Sequence, residues 1–312
     1  MSATVAARGG RRAGWLVRGV AVMLLMTLIG VGVLALLIAR PGLPLASSAR
    51  SAPATRQVSV YGVSVPPFPN RPTGPAWDKN VAVTVPLQQV LERLPEGGPY
   101  VMRVTELEME PGTRIFEHRQ IGPGAHVVLD GEITIEDIQA GSVATYRAGQ
   151  AYYEGMDWLH RAVNRGIEAN RVMMVDILPA SRGFDGQQQF TERGRHNEGE
   201  LRSGPYVQIP LTELPESPLM LRVTDMEFGP KAKTEEHVRV GPSIFYVAKG
   251  TATIRKDWDN SSATYGTNGY FFESGQEPFI LENKPARPAR FIAIELLPAS
   301  LGDAPSTIPT DQ

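Results

Sequence analysis

Residues Glu117 to Gly131 read E-H-R-Q-I-G-P-G-A-H-V-V-L-D-G, and the pattern returns from Glu236 to Gly250 as E-H-V-R-V-G-P-S-I-F-Y-V-A-K-G. The offset is 119 residues, and it holds without a gap from Arg103 through Ser181 onto Arg222 through Ser300. His118 meets His237, Gly122-Pro123 meets Gly241-Pro242, and Gly131 meets Gly250. Tyr146 meets Tyr265, Glu154 meets Glu273, and Asn164 meets Asn283. Both copies close on Leu-Pro-Ala-Ser. A self-match of fixed period and this length marks an internal duplication. Each copy has the size of a domain that buries its own core.

Within a copy the hydrophobic period is two. Arg103, Thr105, Leu107 and Met109 share one parity, and Glu106, Glu108 and Glu110 the other. That alternation predicts a strand with one covered face. The second copy repeats it, with Met226 and Phe228 set against Asp225 and Glu227. Val127-Val128-Leu129, Asp130-Gly131 and Glu132-Ile133-Thr134-Ile135 predict a hairpin, because glycine tolerates the positive φ of the turn. Ala140-Gly141 and Ala148-Gly149 mark two further turns, and residues 172–178 and 291–297 are apolar closing strands. Short strands with turns at near-regular spacing predict an all-β sandwich or barrel.

The flanks differ in composition. Residues 1–40 hold five of the 31 basic residues and no acid, which leaves 26 basic against 33 acidic groups and a charge of −7 elsewhere. Such a balance argues against a nucleic-acid partner, which needs a basic face. Without cysteine there is no disulfide, thiolate ligand or cysteine nucleophile. Gly19 to Ile38 carries no charge, and about twenty helical residues span the roughly 30 Å hydrocarbon layer of a membrane. Four arginines precede this run, which puts the N-terminus in the cytoplasm and the rest outside, periplasmic or extracellular. The alternative is secretion after cleavage of a signal peptide near Ala46-Ser47-Ser48. Eight prolines in residues 41–80 make a stiff spacer, within which Val58-Ser59-Val60-Tyr61 alternates like a short strand.

Certain of these residues resemble the cupin superfamily, small double-stranded β-helix barrels that often bind a metal. Gly112, His118, Gly122-Pro123 and Gly131 resemble its first motif; Gly149, His160 and Asn164 resemble its second. The resemblance covers about residues 83–181 and 205–300. It implies an all-β bicupin: two tandem double-stranded β-helix barrels, here preceded by a transmembrane helix. The expected boundaries are 1–40 for the stub and anchor, 41–80 for the spacer, 81–181 and 205–301 for the barrels, 182–204 for a linker and 302–312 for a tail.

Metal-binding cupins usually offer three histidines and one glutamate. By that resemblance His118 and His160 occupy two histidine positions, Gln120 occupies the third, and Gly124 stands where the glutamate would be. In the second copy only His237 remains, with Arg239, Ser243 and Phe279 at the other three positions. Strand alternation suggests a replacement. An extended 116–120 segment turns Phe116, His118 and Gln120 to the lumen, and Gly124, His126 and Val128 share a face of the next strand. His126 then lies about 6–7 Å along from Gly124 on the same side. His118, His126 and His160 are the candidate ligands of one divalent transition metal, Fe, Mn, Ni or Zn. The open alternative is that these imidazoles are hydrogen-bonded relics in a binding cavity. Gln120 and Trp158 are candidate substrate contacts, and Gln120 could also add an oxygen ligand. Glu235, His237 and Arg239 share a parity in the second copy. They could bind substrate, Arg239 clamping a carboxylate, or form an internal Glu–Arg pair. Phe245 and Phe279 predict a packed, apolar lumen there. Asn164 and Asn283 recur in both copies, which points to a turn-forming role.

Two functions follow. One is a membrane-anchored bicupin with degenerate metal sites that binds a small organic molecule. The alternative is a metal-dependent enzyme of dioxygenase, decarboxylase or isomerase type, with its site in the first barrel. The other expected partners are the membrane, through residues 19–38, and further copies of the chain.

Overall fold

The computed structural model of the protein describes residues 77, 79–182, 188–190, 196–204 and 207–310. The anchor expected at 19–38 and the short strand expected at 58–61 lie outside the described residues. Among the described residues no helix is long and apolar enough to cross a membrane.

Strand is the dominant regular structure of the described residues, as the period of two predicts. The first copy contains β1 (Val81–Val90), β2 (Tyr100–Met109), β3 (Arg114–Gln120), β4 (Gly124–Asp130), β5 (Glu132–Asp137), β6 (Val143–Arg147), β7 (Ala151–Glu154), β8 (His160–Val163) and β9 (Asn170–Pro179). Then come β10 (Gln188–Phe190), β11 (Asn197–Glu198), β12 (Leu201–Ser203) and β13 (Val207–Leu211). The second copy continues with β14 (Leu219–Phe228), β15 (His237–Arg239), β16 (Ser243–Lys249), β17 (Thr251–Lys256), β18 (Ser261–Gly266), β19 (Tyr270–Glu273), β20 (Ile280–Glu282), β21 (Ala289–Pro298) and β22 (Thr307–Pro309).

In the first barrel β2, β9, β4 and β7 form one sheet, in that order, and β3, β8, β5 and β6 form the other. Leu107, Met109, Val128 and Val172 fill the lumen with Ile115, Ile133 and Ile135 of the opposite sheet. Residues of the other parity, Met102, Val104, Val127 and Val175, face outward. They pack against Leu221, Val223, Ile244 and Ile294 of the second copy, in one apolar layer between the barrels. The central strands β2, β4 and β9 are therefore covered on both faces.

Three local expectations are corrected. Asp130-Gly131 does not make a hairpin, because β4 pairs with β7 and β9 while β5 pairs with β6 and β8. Gly131, at φ 67°, instead turns the chain from one sheet into the other, and a Cβ there would lie 3.0 Å from the Ala169 carbonyl oxygen. Phe116 does not share the lumenal face of His118. The ladder between β3 and β8 slips between Ile115 and His118, so the buried Ile115 takes the lumenal place. An irregularity of this kind breaks strict alternation. The linker and tail also carry strands: β10 and β11 pair with β3, and β22 pairs with β15. Phe190 opposes His118 and Pro309 opposes His237, again 119 residues apart, so the duplication runs beyond the Leu-Pro-Ala-Ser ends.

The first strand of each copy crosses to the other barrel, so sheet membership departs from the boundaries at 81 and 205. β1 pairs with β14, setting Leu87 opposite Val223. Reciprocally, β13 sets Val207 opposite Val104, and β12 sets Leu201 opposite Met109. The exchange reaches Trp77, which bridges to Thr234 and lies edge-on to His237.

Candidate metal centre

Two neighbouring strands bring the histidines together. His118 on β3 stands directly opposite His160 at the head of β8, with ring centroids 4.4 Å apart. The Nδ1–H of His118 donates to the Phe116 carbonyl at 2.7 Å, and that of His160 to the Trp158 carbonyl at 3.0 Å. These backbone bonds fix both rings and leave each Nε2 as the inward atom, the arrangement that metal-binding histidines use. The third group comes from the facing sheet. Glu154 ends β7, and its carboxylate lies with the two imidazoles so that the three ligand atoms are within 4.8 Å of one another. Two ligands on opposite sides of an ion, with bonds of about 2.1 Å, stand about 4.2 Å apart. The set is therefore near ligating distance.

The polar atoms here fit an ion. His160 Nε2 is 3.2 Å from Glu154 Oε2, yet it is buried without an aligned hydrogen bond. Gln120 donates through Nε2 to Glu154 Oε2, and its buried Oε1 has no partner. Unsatisfied buried groups cost free energy unless something fills the gap. Burial, then the neighbouring His160, pulls His118 down to about 4, so it is neutral near pH 7, as a ligand must be. Burial opposes ionisation of Glu154, but His160 and His126 hold its carboxyl well below the usual range. His160 moves the other way: burial lowers it, and the Glu154 carboxylate raises it by more.

The acid absent at Gly124 is thus present at Glu154. The sequence carried a signal for it, since Glu154 recurs as Glu273, but alternation within one strand cannot show what the facing sheet contributes. His126 lies outside this three-atom group. It is fully buried, with Nε2 3.3 Å from Asp176 Oδ1 and Nδ1 3.5 Å from Glu154 Oε1. Burial alone would lower His126; the Glu154 and Asp176 carboxylates outweigh it and raise the imidazole to about 10. It is a buried cation beside the site.

Trp158 stacks on His160, centroids 4.5 Å apart and planes at 28°. With Arg93, Tyr153, Met156 and Asp157 it lines a cleft of about 430 Å³. The cleft walls include the loop that joins Glu154 to His160, and Arg93 holds that loop through Asp157 at 2.6 Å.

Among the described residues the second barrel assembles no equivalent. His237 and Arg239 are buried, but Arg239 is committed to Glu295 in a fully buried ion pair. The internal pair is therefore Arg239–Glu295. Glu235 is exposed, because β15 begins only at His237 and the preceding bend ends the alternation. Its backbone carbonyl, rather than its carboxylate, serves the site by accepting from His237 Nδ1 at 2.9 Å. Phe245, Phe271 and Phe279 fill the lumen.

No family model and no curated protein matches this chain. Among solved structures it is similar to oxalate decarboxylase of Bacillus subtilis, studied for its Mn(II) centres, at 14% identity and TM-score 0.50, over 72% of this chain and 79% of that one. Vicilin from Capsicum annuum matches at 11% identity and TM-score 0.49, over 66% and 77%. A mutant of salicylate 1,2-dioxygenase from Pseudoaminobacter salicylatoxidans matches at 12% and 0.43, over 62% and 70%. The all-β barrels described above match the fold of the oxalate decarboxylase. At such identities the likeness speaks to fold alone, and function is argued from the site.

Proposed function

We propose that the first barrel is a one-metal centre, ligated by His118, Glu154 and His160, that acts on a small organic molecule entering beside Trp158. The observation that carries this is the convergence of two tautomer-fixed imidazoles and an ionised carboxylate on one buried point. Two histidines and one carboxylate with open positions suit Fe(II), and also Mn or Zn. A bound ion would supply Lewis acidity toward a substrate oxygen. The chain's own residues do the rest. Trp158 and Tyr153 offer the cleft flat apolar faces, Gln120 supplies an amide beside Glu154, and burial excludes water. The chemical class this favours is the metal-dependent enzyme.

Elemental analysis of the full-length protein tests it. We expect close to one equivalent of transition metal per chain, lost in Glu154→Ala and His160→Ala while circular dichroism is unchanged. Absence of uptake after titration with Fe, Mn, Ni and Zn in turn would remove the reading. A second reading, a non-catalytic binding module, draws on one observation: His118, Glu154 and His160 are at most 3% exposed, so a ligand reaches them only if the 155–159 loop moves. Ligand binding that survives His118→Ala unchanged would favour that module. We further propose that residues 19–38 anchor the barrels outside the cytoplasm. Recovery of the full-length chain in the soluble cytoplasmic fraction would refute the anchor.

A further inference from the structure

We propose that His126 is a positioning residue that restricts Glu154 to one-oxygen ligation, and that Gly124 is the gap that lets it do so. This rests on the reading of His118, Glu154 and His160 as a metal centre. Gly124 on β4 lies directly opposite Glu154 on β7 and directly opposite Asp176 on β9. Asp176, Gly124 and Glu154 therefore form one row across three strands, on one face. The middle member has no side chain, and His126, two residues along on that face, occupies the space. A Cβ on Gly124 would lie 2.2 Å from Asp176 Oδ1 and 2.7 Å from His126 Nε2. Even alanine would displace the pair.

From that position His126 lies against both carboxylates: Nε2 is 3.3 Å from Asp176 Oδ1, within hydrogen-bond reach, and Nδ1 is 3.5 Å from Glu154 Oε1, a charge contact not aligned as a hydrogen bond. The two oxygens of Glu154 are thereby divided. Oε1 faces His126, while Oε2 faces His160 and accepts from Gln120. One oxygen from Glu154 and one nitrogen from each histidine leave positions open for substrate or water. The second copy shows the same row without the device. Ser243 replaces Gly124, and Phe245 replaces His126. There Glu273 lies 3.4 Å from Lys256, which also meets Glu277, and Glu295 pairs with Arg239. In the first copy one imidazole lies between both carboxylates, and Arg103, opposite Asp176 on the ladder, also acts on Asp176.

The test uses the full-length protein titrated with Mn(II) alone and read by electron paramagnetic resonance. His126→Phe, which installs the second copy's own residue, should still take up one equivalent. Its affinity should fall about 10–100-fold, the usual effect of losing a group that orients a ligand. Its fine structure should change, and oxygen-17 water broadening should report fewer bound waters, because Glu154 is released to ligate through both oxygens. His126→Gln, which retains a donor, should recover part of the affinity and the wild-type spectrum. Gly124→Ala should resemble His126→Phe. Unchanged affinity and spectrum in His126→Phe and Gly124→Ala would overturn the positioning role and leave the metal centre standing. Complete loss of Mn(II) from a folded His126→Gln, as from His118→Ala, would make His126 a ligand and likewise overturn it. Failure of the wild type to bind Mn(II) would remove both readings.

Discussion

Glu154 and Glu273 occupy equivalent positions, yet their protonation differs because their neighbours do. Two imidazoles hold Glu154 ionised. Burial raises Glu273 to about 7, and Lys256 does not reverse this because it is shared with Glu277 at 2.7 Å. A folded value near 7 above an ordinary value of 4.5 means that Glu273 binds its proton more tightly in the native state. Its contribution to stability is fully present below pH 4.5 and is lost as pH rises through about 7. Glu273→Gln should therefore gain thermal midpoint on the wild type progressively across that window. A difference that stays flat with pH would contradict the assignment. At this scale the sequence showed His118 and His160 through motif and spacing, and it showed the lumenal face of His126 through parity. It could not show that His126 meets two carboxylates, because Glu154 and Asp176 arrive from strands whose pairing is not local.

Among the elements, turns and alternation were legible and pairing partners were not. Glycine at 131 announces a positive φ, and the chain does turn there, but a turn between strands does not reveal whether they share a sheet. Polar β12 lies in the segment expected as linker because its partner is in the other copy. The repeated asparagines behave as their recurrence suggests. Asn164 bonds the carbonyls of Met109 and Glu168 and the amide of Gly166, and Asn283 bonds the carbonyls of Gly229 and Arg287. The layer between the barrels gives a clear test. Leu221 is fully buried in it, and Leu221→Ala should cost about 2–5 kcal/mol in urea unfolding. One shared transition should shift as a whole, since the layer belongs to both barrels. A loss confined to one of two separate transitions would show that the layer does not couple them.

For the whole molecule, the duplication predicts two barrels, and the unequal ligand sets predict that at most one holds metal. Neither half contains all the strands of its own barrel. The 77–190 half lacks β12 and β13, which pair with β2, and the 197–310 half lacks β1, which pairs with the other edge of β14. Expressed alone, each should be aggregated or partly folded, whereas co-expression should restore a soluble particle with one metal site. A stable, monomeric isolated half would argue against this dependence.

The crossing of β1 and β13 has a consequence for how the molecule breaks. A protease that cuts once between Phe190 and Asn197 severs the only covalent thread joining the copies, yet each fragment still lies stitched into its neighbour's sheet. The clipped protein should migrate as two bands under denaturing conditions and as one intact particle under native ones.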